Sequence, residues 1–153
     1  MKPVVKVKIG AEMLPEYKTE GSAGADIRSA VNCSLISGEW MPVPTGLFVE
    51  IPVGYEIQIR SRSGLAANDG VFVLNSPGTI DSDYRGEIKI ILMNVGKKTF
   101  KIEKGDRIAQ MVIAPVKQCE FELVYDLNET ERNNGGFGST GKKWNTTLKR
   151  NII

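Results

Sequence analysis

Glycines and prolines interrupt this chain almost every ten residues, and no stretch between them has the apolar spacing of an amphipathic helix of ordinary length. Short runs of β-branched and aromatic residues bounded by turn formers read instead as strands. Such runs cover residues 5–9, 34–37, 40–43, 46–51, 55–59, 71–74, 88–93, 107–114 and 120–124. The pattern predicts an all-β sandwich or barrel. At 153 residues the chain is long enough for one domain with a real core. Residues 88–93 are apolar at both parities over their second half, so this strand is expected to be buried on both faces and to make subunit contact.

The chain has no histidine. Ser-His-Asp and Cys-His catalysis and histidine-ligated zinc are therefore out of reach, and proton transfer falls to a carboxylate, lysine, tyrosine or water. The net charge of +2 hides a split: Lys142, Lys143, Lys149 and Arg150 lie in a tail without acids, so residues 1–141 carry 16 basic against 18 acidic side chains. A body at −2 has no general basic field for nucleic acid. No apolar run has membrane-spanning length, and the start alternates charged with β-branched residues, unlike a signal peptide. Cys33 and Cys119 suit no metal-ligand spacing. Both are expected to be buried or inert thiols in a strand, in the cytoplasm or another reducing compartment (the host cell's, for a viral chain).

The richest stretch is Asn75-Ser-Pro-Gly-Thr-Ile-Asp-Ser-Asp-Tyr-Arg-Gly-Glu87, set between two strand-like runs. Pro77-Gly78 suits the centre of a type II turn, which predicts a hairpin. A plain turn needs none of the amide, carboxylates and phenol carried by Asn75, Asp81, Asp83 and Tyr84, although a hairpin with solvated acids would look similar. Ser61-Arg62-Ser63-Gly64-Leu65-Ala66 is a plausible phosphate cradle. Gly105-Asp106-Arg107-Ile108-Ala109-Gln110 places a glutamine at the start of an apolar strand, where it could equally be an edge-strand amide. Residues 132–141 interleave Arg132 and Phe137 with glycines, which fits either a flexible linker or a lid over a phosphorylated ligand. Residues 136–141 match a dinucleotide-binding glycine pattern and nearly match a Walker A loop. Both need a strand before and a helix after, and the twelve residues that remain leave no room for one.

Taken together, these stretches resemble the motifs of the homotrimeric dUTP nucleotidohydrolases (dUTPases). Ala23-Gly24-Ala25-Asp26-Ile27, Arg62-Ser63-Gly64-Leu65-Ala66, Gly78-Thr79-Ile80-Asp81-Ser82-Asp83-Tyr84-Arg85-Gly86, Gly105-Asp106-Arg107-Ile108-Ala109-Gln110 and Gly135-Gly136-Phe137-Gly138-Ser139-Thr140-Gly141 follow one another in the family's order. The resemblance implies a jelly-roll-like β-clip barrel that assembles as a trimer, each site built from three subunits. It also implies a barrel body over 1–131, a glycine-rich lid over 132–141 and a basic tail over 142–153.

The implied reaction is Mg²⁺-dependent hydrolysis of dUTP to dUMP and pyrophosphate, which keeps uracil out of DNA and supplies dUMP. By the resemblance, Asp81 is the general base that activates water for in-line attack on the α-phosphorus. Asn75 and the backbone of Thr79, Ile80 and Asp81 read uracil; Tyr84 packs on deoxyribose, with Lys89 a further contact. Arg62, Ser63, Gly64 and Gln110 hold the phosphate chain. Arg132, Gly138, Ser139 and Thr140 close on the outer phosphates, and Phe137 covers the uracil ring. Asp26 orders waters of the Mg²⁺, and the expected partners are dUTP and two further copies, with no nucleic acid and no membrane. Asn133 stands where the family usually has glycine after the arginine of the last motif, and asparagine tolerates positive φ.

The chemistry suits the residues, since cleaving a phosphoanhydride depends on positioning and charge neutralisation, and Mg²⁺ sits readily on phosphates. Two other readings compete. A dCTP deaminase of the same superfamily would need an acid/base group at the ring and would release ammonia. A nucleotide-gated regulatory protein would bind a partner in response to dUTP.

Overall fold

A computed structural model of the chain describes residues 2–8 and 13–139. The chain divides at Gln118/Cys119 into two units. All strands belong to the first. They are β1 (Lys6–Val7), β2 (Ala25–Arg28), β3 (Cys33–Leu35), β4 (Trp40–Leu47), β5 (Val49–Glu50), β6 (Tyr55–Arg60), β7 (Val71–Val73), β8 (Gly78–Ile80), β9 (Ile88–Asn94), β10 (Phe100–Ile102) and β11 (Arg107–Pro115), with one short helix, α1 (Ser63–Asp69). The expected all-β class is what the chain adopts. The first strand is shorter than its alternating pattern, and Ile9, assigned to it from sequence, lies outside the described residues.

Two sheets carry the functional residues. One has the order β2-β11-β6-β8 and the other β4-β9-β7. Alternation decides which side chains face inward: Ile57 and Ile59 of β6, Val43 and Leu47 of β4, and Ile88, Ile90 and Leu92 of β9 are all buried in one core. Each such side chain contributes about 1.5–3 kcal/mol of hydrophobic stabilisation relative to exposure. The outward face of β9 carries exposed Lys89 and half-buried Ile91 and Met93. Within one chain this strand is thus buried on one face only, and two apolar side chains remain on the other.

The stretch after β7 is not a simple hairpin. β7 and β9 do pair, with Val73 opposite Leu92. Between them, however, the chain sends β8 into the other sheet, where Gly78, Thr79 and Ile80 pair with Ile59, Gln58 and Ile57. The expected type II turn at Pro77-Gly78 is also absent. The Ser76–Pro77 peptide bond is cis and Gly78 has no positive φ. Gly78 is instead required for closeness, because a Cβ there would lie 3.3 Å from both the Asn75 Nδ2 and the Ile59 Cβ.

Two further expectations are corrected. Residues 120–124 form no strand, and their apolar members Phe121, Leu123 and Val124 are exposed. A polar partner at every second position made them look like a strand, but no described neighbour pairs with them. Cys119 is exposed and outside any strand, while Cys33 is half-buried in β3, so only Cys33 matches the sheltered thiol anticipated for both. Burial pushes the Cys33 thiol pKa up. No helix among the described residues is long and apolar enough to cross a membrane.

Candidate active site

Three neighbouring strands align one row of side chains. Gln110 of β11 stands opposite Asp26 of β2 on one side and Arg60 of β6 on the other, so the three share a face. Gln110 is therefore on a central strand, which removes the edge-strand alternative. Its side chain lies directly on Gly24, where a Cβ would come within 2.7 Å of the Gln110 Oε1. Only glycine leaves that amide its place.

Asp26 is buried, and both of its oxygens are engaged by guanidinium groups. Arg107 donates from Nη1 to Oδ2 at 3.0 Å, and Arg62 Nε stands 3.4 Å from Oδ1. A buried carboxylate needs such partners to stay charged. Arg62 is fixed a second time, since its Nη1 donates to the Arg107 backbone carbonyl at 2.8 Å. One acid and two arginines leave the cluster one positive charge in excess. A register shift in the β2–β11 ladder between Arg107 and Ala109 accompanies the reach of Arg107 toward Asp26. Arg107 was not assigned a role from sequence, because the register that sets it beside Asp26 is not written in either motif.

Arg62 is also the N-cap residue of α1, which opens with exposed Ser63 and Gly64. A Cβ at Gly64 would meet nothing within 4 Å. The helix escaped sequence reading because at seven residues, with none buried, it has no apolar face to betray it. It ends at Gly70, whose φ of 68° is the left-handed conformation that closes a helix.

The second set of candidates gathers around β8. Thr79, Ile80, Asp81, Tyr84 and Lys89 line one groove of about 380 Å³, together with Pro42, Glu87, Ile88 and Ile91. Asn75 reaches its upper end through the close approach to Gly78 already described. The loop carrying Asp81 and Tyr84 is tied internally. The Tyr84 N–H donates to the Asp81 carbonyl at 3.2 Å, the Tyr84 hydroxyl donates to the Glu87 carbonyl at 3.0 Å, and the Arg85 Nη1 donates to the carbonyls of Ser82 and Tyr84 at 2.7 and 2.9 Å. The Tyr84 ring lies so close over Gly86 that no side chain fits at 86. Glu87 anchors the loop to β4 by accepting the Gly46 N–H at 2.9 Å, and its other oxygen lies 3.9 Å from Lys89 Nζ. Neither Gly86 nor Glu87 was singled out from sequence; their importance is a matter of contact, which no spacing reports.

The two sets do not meet within one chain. Ile80 pairs with Ile57, so Asp81 falls level with Glu56, while Arg62 lies six residues further along and past the other end of β6. At about 3.3 Å per residue, that is roughly 20 Å.

In the second unit, the Arg132 Nε donates to the Gly135 carbonyl at 2.9 Å and the Gly135 N–H returns to the Arg132 carbonyl at 2.8 Å. Asn133 has φ 44°, the left-handed region that glycine would adopt freely and asparagine accepts, and its N–H is held by the Thr130 hydroxyl at 2.9 Å. Phe137 is fully exposed. Gly138 (φ 95°) leads into Ser139, whose N–H donates to the Gly136 carbonyl at 2.9 Å. Thr140, Gly141 and the tail over 142–153 lie outside the described residues.

No cluster of three or more acidic or thiol ligands occurs among the described residues. Asp26 alone, already shared by two arginines, fits only a secondary role toward a cation: its remaining lone pairs can accept hydrogen bonds from metal-bound water.

Comparison with known proteins agrees with this geometry. The dUTPase family model matches residues 11–141. Deoxyuridine 5′-triphosphate nucleotidohydrolases of Orientia tsutsugamushi and Roseobacter denitrificans are 55% and 57% identical to this chain; the matches cover 91% and 84% of it, and 100% and 86% of the relatives. The dUTPase of Staphylococcus bacteriophage 80alpha, solved with dUpNHpp, is similar in structure at 29% identity, with a TM-score of 0.82 over 92% of this chain and 99% of its own. A dUTPase from phage phi11 of S. aureus, known for its coordination of a structural Mg(II) ion, follows at 26% identity, with a TM-score of 0.73 over 80% of this chain and 97% of its own. The chain is an all-β enzyme that belongs to the dUTPase family, the deoxyuridine 5′-triphosphate nucleotidohydrolases, whose reaction is the hydrolysis of dUTP.

Proposed function

We propose that hydrolysis proceeds by in-line attack of a water on the α-phosphorus of dUTP, in a site shared between copies of the chain in a trimer. The observation that carries this reading is the separation of the two residue sets along β6. A nucleotide cannot bridge roughly 20 Å of strand within one chain, whereas the β8 groove of one copy can face the arginine cluster of another. The half-buried Ile91 and Met93 on the outer face of β9 supply apolar surface for such contact.

In this reading β8 reads the base. It is an edge strand, paired only with β6. Its other edge can offer backbone groups of Thr79, Ile80 and Asp81 to the N3–H and O4 of uracil, with the Asn75 amide beside them. Cytosine reverses donor and acceptor at those positions, and a site built for one pattern rejects the other by about 10⁴ or more. The fixed Tyr84 ring packs on the sugar and leaves no room for a 2′-hydroxyl, with Lys89 beside it. Asp81, exposed at the groove, takes a proton from the attacking water. Arg62, Ser63, Gly64 and Gln110 of the facing copy hold the phosphates. The surplus positive charge of the Asp26 cluster favours them there.

Mg²⁺ would ride on the triphosphate, with Asp26 holding its waters, and would supply charge neutralisation of the leaving pyrophosphate. The segment 132–141 acts as the lid on the body 1–131, with Arg132, Gly138, Ser139 and Thr140 at the outer phosphates and Phe137 over uracil; residues 142–153 follow as a basic tail. The products, dUMP and pyrophosphate, make the enzyme a guard against uracil in DNA and a source of dUMP. Two unpaired cysteines agree with work in a reducing compartment such as the cytoplasm.

The test is pyrophosphate release from dUTP, dCTP, dTTP and UTP in parallel, with and without Mg²⁺. Release from dUTP alone, stimulated by Mg²⁺, is expected. Equal release from UTP would refute the role of Tyr84, and ammonia release from dCTP would move the chain to the deaminases.

A further inference from the structure

Asn134 is the only asparagine in the chain that is followed by glycine. A glycine at that place has no side chain to shield its backbone nitrogen, and asparagine presents its amide carbon one five-membered ring away. Asn134 is exposed, and its side-chain amide has no hydrogen-bond partner among the described residues. The other exposed asparagines are followed by residues that carry side chains: Asn68 by Asp69, Asn75 by Ser76, Asn128 by Glu129 and Asn133 by Asn134. Asn94 is buried, and its amide is doubly engaged, donating to the carbonyls of Leu35 and Lys98.

We propose that Asn134-Gly135 is a site of spontaneous deamidation and that the modification disables the arginine-bearing turn of the arm. The Gly135 nitrogen, deprotonated by solvent base, attacks the Asn134 Cγ. A bond forms between them, the bond from Cγ to Nδ2 breaks, and ammonia leaves with a proton from water. Water then opens the cyclic imide at either carbonyl, giving aspartate or isoaspartate. The net change is addition of water and loss of ammonia, with no oxidation or reduction.

The geometry says why this matters. Arg132 and Gly135 hold each other twice across residue 134, through the Gly135 N–H to the Arg132 carbonyl at 2.8 Å and through the Arg132 Nε to the Gly135 carbonyl at 2.9 Å. Isoaspartate lengthens the backbone between them by one carbon, so both bonds cannot be kept. Gly135 has no slack to absorb the change, since even a Cβ on it would lie 2.9 Å from the Arg132 oxygen and 3.2 Å from the Ser139 hydroxyl. Either product also places a carboxylate two residues from Arg132. The 2.8 Å bond must open before the nitrogen can attack, so whatever closes the turn slows the reaction. The chemical step stands without the functional reading; the loss of activity rests on the arm gripping phosphate.

The experiment ages the full-length enzyme at mildly alkaline pH, with and without a non-hydrolysable dUTP analogue. Peptide mass spectrometry and isoaspartyl methyltransferase labelling locate the products. Conversion at Asn134 should run about tenfold or more ahead of every other asparagine and should be slower with the analogue, which favours the closed turn. Asn134→Gln, which cannot form the five-membered imide readily, should remain unlabelled there. Measured against its own fresh activity, the aged wild type should lose about tenfold in dUTP turnover as Asn134 converts, on the scale of one like-charge contact with phosphate. The aged Asn134→Gln enzyme should lose little. Conversion at Asn134 no faster than at Asn128 would overturn the site. Fully converted enzyme with unchanged turnover would overturn the shut-off, whereas a fresh enzyme without dUTP hydrolysis marks failure of the functional reading itself.

Discussion

The two ends of β6 solve different problems with different materials. At one end, Asp26, Arg62 and Arg107 form a charged cluster sheltered by the fold, each group fixed by another before any ligand arrives. At the other, Asp81 and Tyr84 sit exposed on a loop whose shape is held by backbone carbonyls and by glycines that admit no side chain. Charge that must meet phosphate is prepaired and held rigid, which lowers the reorganisation needed on binding. Groups that must tell one base and one sugar from another are set by backbone position, because hydrogen-bond direction and steric contact are properties of geometry. Loss at the first end should act on phosphate affinity and folding; loss at the second should act on turnover and selectivity.

The sharpest way to break this contrast is at Asp81. Asp81→Asn should lower turnover by about 10³-fold, the scale of a general base, while nucleotide affinity measured by titration stays near that of the wild type. A large loss of affinity would remove the distinction between the ends. Removing everything after Arg132 comes next. Turnover should fall by about 100-fold or more, as for loss of a positioning lid, with oligomeric state by ultracentrifugation unchanged. Gly86→Ala should then probe shape alone: its Cβ displaces the Tyr84 ring, so dUTP should lose about tenfold in kcat/KM and UTP should be discriminated less. At the charged end, Asp26→Ala leaves two arginines facing each other. It should destabilise the fold by about 2 kcal/mol in chemical denaturation, discounted for the partial exposure of Arg107, and should raise KM more than it lowers kcat. The smallest effect concerns thiols away from both ends. Exposed Cys119 should be alkylated about tenfold faster than Cys33, whose burial raises its pKa and lowers its thiolate fraction at neutral pH.

How far the chain could be read in advance follows the same division. Strand periodicity in β6, β9 and β11 was visible because each alternates against one core, and the motif residues were visible because their types suit phosphate and base. Partnerships across strands were not. Nothing local says that Gln110 lies on Gly24 or that Arg107 reaches Asp26, because both depend on the register of β2 against β11. The Pro77-Gly78 dipeptide misled for a related reason. It suits a type II turn locally, yet the pairing of Gly78 with Ile59 in another sheet decides its conformation. Residues 120–124 carry a strand-like pattern that no described neighbour completes.

The central claim, that neither end of β6 makes a site without the other end from a second copy, has a direct test. Asp81→Asn and Arg62→Ala enzymes, each inactive alone, are unfolded, mixed in equal amounts and refolded together, and dUTP turnover is measured. If sites are shared between copies, mixing restores about a quarter of wild-type activity, since half of each contributing set is intact at random. If each chain holds its own site, mixed assemblies form and no activity returns, and that result would contradict the account.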